Sequence, residues 1–175
     1  MTERDFWDKA TESTDLRNEW ICDENVTDEQ CLEAIGEMPG VSLDLGCGIG
    51  RLTRDYGIDV SSKMLDLAKP GPKYRTCNGR YIPYADGFFD SVYSTFMFQH
   101  IPNPAKYRYV KEVFRVLKDG GIFRLQYVEG DNDEPFSHDV RYLVIESELF
   151  KTGFRTTKFD FGLIYPQWTW VTAQK

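Results

Sequence analysis

The chain has 175 residues, a length that suits one compact domain able to bury roughly 70% of its unfolded surface without help from disulfides. Apolar residues at 41% and aromatic residues at 15% exclude a disordered or fibrous chain. With 21 Lys and Arg against 28 Asp and Glu, the net charge of −7 argues against a nucleic-acid partner, and no window approaches the roughly 18 apolar residues of a membrane span.

The first residues mix charges of both signs without an apolar stretch, so they do not read as a secretory leader, and a cytoplasmic location is expected. Cys22, Cys31, Cys47 and Cys77 form no C-x-x-C pair and have no nearby His. They read as reduced thiols, and no metal site is expected.

Residues 1–38 read as a charged helical cap preceding a single domain over 39–175. Thr27-Asp28-Glu29-Gln30 has the form of a capping box, with Cys31, Leu32 and Ile35 as the apolar stripe behind it. Pro39-Gly40 ends that helix. Val41–Leu45 is an apolar run short enough for a buried strand. It runs into Gly46-Cys47-Gly48-Ile49-Gly50 and a predicted brief helical stretch, Arg51–Asp55. A second strand is predicted near Tyr56–Val60, and Ser61 then caps a helix carrying Met64, Leu65 and Ala68, stopped by Pro70-Gly71-Pro72. Lys73–Cys77 and Phe89–Ser94 supply two more strands. Asn103-Pro104 starts a helix with Val110, Val113, Phe114 and Leu117 at i, i+3, i+4 and i+7, which Gly120-Gly121 is predicted to close. Ile122–Val128 is a fifth strand, Ser147–Thr152 a helix, and Thr156–Phe161 with Trp168–Ala173 an antiparallel closing hairpin. The alternation predicts a Rossmann-like three-layer α/β/α sandwich on a mostly parallel seven-stranded sheet.

The glycine-rich turn carries the chemistry. Glycine lets backbone approach a ligand closely, and free N–H groups at such a turn suit an anionic or nucleotide-like group. The spacing is G-x-G-x-G, and Arg51 stands where the dinucleotide fingerprint has its third glycine, which disfavours NAD and FAD. Only thirteen residues separate Gly46 from Asp59, against the roughly twenty usual before a ribose-binding acid. The first crossover helix is therefore predicted to shrink to one or two turns.

Leu43-Asp44-Leu45-Gly46-Cys47-Gly48-Ile49-Gly50 resembles the first motif of class I S-adenosylmethionine-dependent methyltransferases. The resemblance extends in order to Tyr56–Ser61 with Met64-Leu65, Ile82-Pro83-Tyr84 with Asp86–Asp90, Gln99-His100-Ile101-Pro102, Arg115–Gly121 and Leu149–Phe154. It implies an S-adenosylmethionine cofactor, with S-adenosylhomocysteine as product; the short connections, without an inserted substrate domain, favour a small-molecule acceptor methylated on oxygen or nitrogen. Asp44, Gly46, Cys47, Gly48 and Gly50 are implied around the methionyl part, and Asp59 with Val60 at the ribose. Met64, Asn78 and Gly79 are implied at the adenine, Asn78 standing where the family usually has Asp. Ser94, Thr95 and Phe96 are implied to line the methionine end through backbone carbonyls.

His100 falls where an acceptor would sit, as a general base or as a positioning group. Trp7, Arg17 and Trp20 of the cap, and His138, Arg141 and Tyr142 further on, are candidate acceptor-pocket residues. The alternative to an enzyme is a trimmed, non-catalytic S-adenosylmethionine-binding protein, acting as a sensor or as a partner subunit. A nucleotide-dependent oxidoreductase is the third reading.

Overall fold

Strand β1, Ser42–Leu45, is buried at all four positions, as a strand flanked by neighbours on both edges must be. The computed structural model describes residues 2–12, 26–128 and 142–175. Within them, α1 spans Glu3–Ala10 and α2 Asp28–Ile35; β2 is Tyr56–Asp59, α3 Ser62–Asp66, β3 Lys73–Thr76 and β4 Phe89–Ser94. A 3-10 turn at Phe98–His100 precedes α4, Asn103–Val116; β5, Leu117–Val128, α5, Tyr142–Thr152, β6, Thr156–Phe161, and β7, Trp168–Gln174, complete the order. The seven strands form one sheet in the order β3-β2-β1-β4-β5-β7-β6, parallel except where β7 pairs antiparallel with β5 and β6. None of the described helices is long and apolar enough to cross a membrane.

Two apolar clusters cover the two faces of the sheet. One packs Tyr109, Val110, Val113 and Val116 of α4 and Leu149 of α5 against Leu43, Val92 and Leu125. The other packs Cys31 and Ile35 of α2 against Tyr93, Trp168 and Trp170. The capping box of α2 forms as its sequence indicates: Thr27 Oγ1 accepts the Gln30 N–H at 3.2 Å, and Gln30 Oε1 accepts the Thr27 N–H at 2.9 Å. The other end of α2 is held by Arg124 of β5, whose Nη2 donates to the Ala34 carbonyl at 2.7 Å and whose Nη1 donates to Asp160 at 2.9 Å. That buried guanidinium satisfies a helix-end carbonyl that has no partner within the helix.

Two local expectations are corrected. There is no helix between β1 and β2, not even a short one over residues 51–55. Only ten residues cross, and beyond two short turn bonds, from Gly50 to Cys47 and from Thr53 to Gly50, they are tied to the sheet. Thr53 donates to Asp44 at 2.7 Å, the Arg54 N–H to the Tyr93 hydroxyl at 3.0 Å, and Asp55 accepts the Ser42 N–H at 2.9 Å. Gly120-Gly121 does not end α4, which stops at Val116. Both glycines belong to β5, where pairing with β4 slips between Phe89–Leu117 and Ser91–Ile122. A helix-stop signal is also a bulge signal, and here the sheet uses it.

Candidate functional site

The chain order reverses at β1, which has β2 on one side and β4 on the other. In open parallel sheets such a reversal leaves a crevice beyond the carboxyl ends of the strands, and ligands bind there. A cavity lies at that place, walled by Asp44, Gly46–Ile49, Asp59 and Val60 on one side and by Thr95–Met97 and His100 on the other.

The glycine loop is pinned to β2. Gly46 and Cys47 both donate to the Ile58 carbonyl, at 2.8 and 3.0 Å, and the Gly48 N–H donates to Asp59 Oδ2 at 2.9 Å. Gly46 has a φ of 76°, and a Cβ there would collide with Met97 at 2.7 Å. Gly48 has a φ of 52° and open space where a Cβ would point. At Gly48, which lines the cavity, backbone is thus left bare where a side chain would occupy open space.

Two buried carboxylates face this loop. Asp44 is 2% exposed; its Oδ2 accepts the Thr53 hydroxyl at 2.7 Å, and its Oδ1 has no hydrogen-bond partner. Burial raises its pKa to about 7, with the Thr53 bond opposing and the nearby Asp59 charge adding. Asp59 accepts the Ser61 N–H at 2.9 Å on the oxygen that Gly48 leaves free. Its pKa is also raised by burial, against the pull of those N–H groups. The Cys47 thiol between them is pushed up by burial and by both carboxylates, so it is no thiolate nucleophile. Among the described residues, no three His, Cys, Asp or Glu side chains group to hold a metal ion.

Helix α1 closes over the far side. Its Arg4 donates to the Cys77 carbonyl at 3.2 Å, Asp8 accepts the Ser61 hydroxyl at 2.5 Å, and Glu12, just past the helix end, accepts from Lys63 at 2.6 Å. Trp7 meets the His100 ring edge-on at 5.4 Å, and both line the cavity.

Of the residues singled out in sequence, Trp7, Asp44, Gly46, Cys47, Gly48, Asp59, Val60, Met64, Thr95, Phe96 and His100 meet at this cavity. Gly50, Asn78, Gly79 and Ser94 do not line it. Ser94 turns its hydroxyl into the core, donating to the Leu45 carbonyl at 2.8 Å. Asn78 spends its amide oxygen on the Arg80 and Tyr81 N–H groups, both at 3.0 Å, in a local turn on the surface. Gly50 packs against Tyr74 instead. Tyr142 opens α5, while Arg17, Trp20, His138 and Arg141 lie outside the described residues. The cavity also takes in Arg51, Leu52, Cys77, Met97, Ile101 and Tyr109, none singled out in sequence. Tyr109 was legible, four residues before Val113 on the buried stripe of α4. Arg51 and Ile101 stood in segments the sequence marked, though neither was named for the site, while Leu52, Cys77 and Met97 gave no signal for the site.

Comparison with known proteins points the same way. Residues 43–125 match the family described as "Methyltransferase domain". The 2-methyl-6-phytyl-1,4-hydroquinone methyltransferase of Synechocystis sp. is 34% identical over 100 residues, covering 48% of this chain and 31% of the relative. A possible histamine N-methyltransferase of Thermotoga maritima superposes with a TM-score of 0.80 at 17% identity, covering 97% of this chain and 99% of its own. Phosphoethanolamine N-methyltransferase 2 of Haemonchus contortus, solved in complex with S-adenosyl-L-methionine, gives 0.77 at 20% identity, covering all of this chain (100%) and 60% of its own. Residues 43–125 are thus similar to a methyltransferase domain, and the fold is the one shared by S-adenosylmethionine-dependent methyltransferases. The chain spans between 31% and 50% of the length of six curated relatives that it matches.

Proposed function

We propose that this chain binds S-adenosylmethionine in the cavity and transfers its methyl group to an oxygen or nitrogen of a small-molecule acceptor. What carries the reading is Asp44 Oδ1, a buried, unpartnered carboxylate oxygen beside a glycine loop bared to the cavity. An unpaired buried acid is costly and is retained where a ligand supplies the partner. The donor set fits this cofactor. Asp44 would hold the methionyl ammonium, and Asp59, with spare lone pairs on both oxygens, would accept the ribose hydroxyls. Val60, Met64 and Cys77 would pack the adenine, without help from the Asn78 side chain.

When bound, the cofactor supplies a methyl already activated on sulfonium. The protein's own part is then alignment and exclusion of water. Thr95, Phe96 and His100 would form the wall against which the acceptor lies, and α1, latched through Asp8 and Trp7, would act as a lid. His100 is held by the turn it sits in and by the Trp7 ring, which suits positioning better than proton transfer. Two of the similar proteins are named for small acceptors, a hydroquinone and phosphoethanolamine, which supports the same class here.

Calorimetry is the test. S-adenosylmethionine and S-adenosylhomocysteine should bind without added metal, and NAD far more weakly. Tighter binding of NAD than of either would sink the reading. A screen of small acceptors for release of S-adenosylhomocysteine then identifies the substrate.

A further inference from the structure

Phe96 has a φ of 59°, a left-handed conformation that crowds the Cβ of any residue but glycine. Such a conformation persists only where the surrounding fold imposes it. Gln126 is the group that does so. From a fully buried position on β5 its Oε1 accepts the Phe96 N–H at 2.7 Å, while the Phe96 ring rests edge-on against Trp168 at 5.0 Å.

Holding that N–H leaves the other end of the amide stranded, because Gln126 Nε2 has no hydrogen-bond partner. Its cross-strand neighbour Trp170 offers only a second donor, also unpartnered, so the two cannot staple β5 to β7. A residue serving the core alone would be apolar here, since a buried unpaired donor destabilises. The peptide it grips starts the turn that carries Thr95, Phe96, Met97 and His100, all of which line the cavity.

We propose that Gln126 is a positioning residue for methyl transfer: by fixing the left-handed turn at Phe96 it sets the cavity wall where methyl donor and acceptor meet. The proposal rests on the function proposed above. It acts through backbone, so it is read first by the Phe96 amide and by ligand affinity rather than by turnover.

The experiment compares Gln126→Met, Gln126→Glu and Phe96→Gly, singly and with Gln126→Met combined with Phe96→Gly. Gln126→Met removes the acceptor oxygen at similar length; Gln126→Glu keeps one. Hydrogen exchange at the Phe96 amide should speed up at least about tenfold in Gln126→Met. S-adenosylhomocysteine affinity should fall about tenfold, the scale of one lost hydrogen bond. Gln126→Glu should stay within about threefold of the parent in both. In the Phe96→Gly background, where the turn needs no holder, Gln126→Met should cost less than about threefold. Equal losses in both backgrounds, or unchanged affinity in Gln126→Met, overturn the proposal while leaving the cofactor reading intact. A parent protein that binds no S-adenosylhomocysteine overturns both. Should Gln126→Met alone not fold, the combined variant is expected to fold and bind, and its failure overturns the proposal.

Discussion

Asp44 stands on the most buried strand of the sheet with one oxygen satisfied and one bare. Burial holds its carboxyl near a pKa of about 7, so around neutrality it is partly protonated. A cationic ammonium beside Oδ1 favours the carboxylate and lowers that pKa. Binding S-adenosylhomocysteine at pH 6 should therefore release up to about one proton, and affinity should rise between pH 5 and pH 8. Calorimetry in buffers of different ionisation enthalpy counts the proton. Asp44→Asn, which can still accept from Thr53, should release fewer, leaving only what Asp59 gives up. If the parent releases none at pH 6, the ammonium is bound elsewhere. Residues like Asp44 and Asp59 are legible in sequence because strand ends and a glycine loop fix their place whatever surrounds them. Asn78 was not, because its own turn captures the amide first, and a local N–H two residues away outcompetes a distant ligand.

At the scale of elements, the same contrast separates what could be read from what could not. Strands β4, β6 and the start of α4 follow from patterns confined to a few residues. The missing crossover helix does not, because what shapes the segment comes from elsewhere: Asp44 of β1 holds the Thr53 hydroxyl, and Tyr93 of β4 takes the Arg54 N–H that a helix would use. Sequence marked the cap and its Trp7, but not the contacts that seat the N-terminal segment, which reach across the chain to Ser61, Lys63, Cys77 and His100. Those contacts are few and partly exposed, the signature of an element that opens at low free energy. If α1 covers the bound cofactor, amide exchange in residues 5–10 should slow several-fold on adding S-adenosylhomocysteine, while exchange in α5 stays unchanged. Asp8→Ala, which frees the Ser61 hydroxyl, should raise the exchange of unliganded α1 and weaken that slowing. Identical exchange in α1 with and without ligand would make it ordinary packing.

For the molecule as a whole, the buried site sets how stability depends on pH. Asp5, Glu12, Asp90, Glu112 and Asp160 have lowered pKa values, from hydrogen bonds and neighbouring cations, so what they contribute is lost as pH falls below the usual carboxylate range. Asp44 and Asp59 are raised, which reverses the sign. Between the unfolded value near 4 and the folded value of about 7, the native state binds more protons than the unfolded one, so stability declines as pH rises. The unliganded protein should therefore melt higher at pH 5 than at pH 8. The net charge of −7 adds self-repulsion in the same direction, so the slope alone does not identify its source. Asp44→Asn separates the two, because it removes one titrating site and barely changes the overall charge. Its melting temperature should drop less between pH 5 and pH 8 than that of the parent. Ligand should act oppositely: S-adenosylhomocysteine should raise the melting temperature more at pH 8, where Asp44 is ionised, than at pH 5. A parent and an Asp44→Asn variant with the same slope would show that the site's carboxylates are solvated when the cavity is open, and that the molecule does not hold Asp44 protonated in waiting.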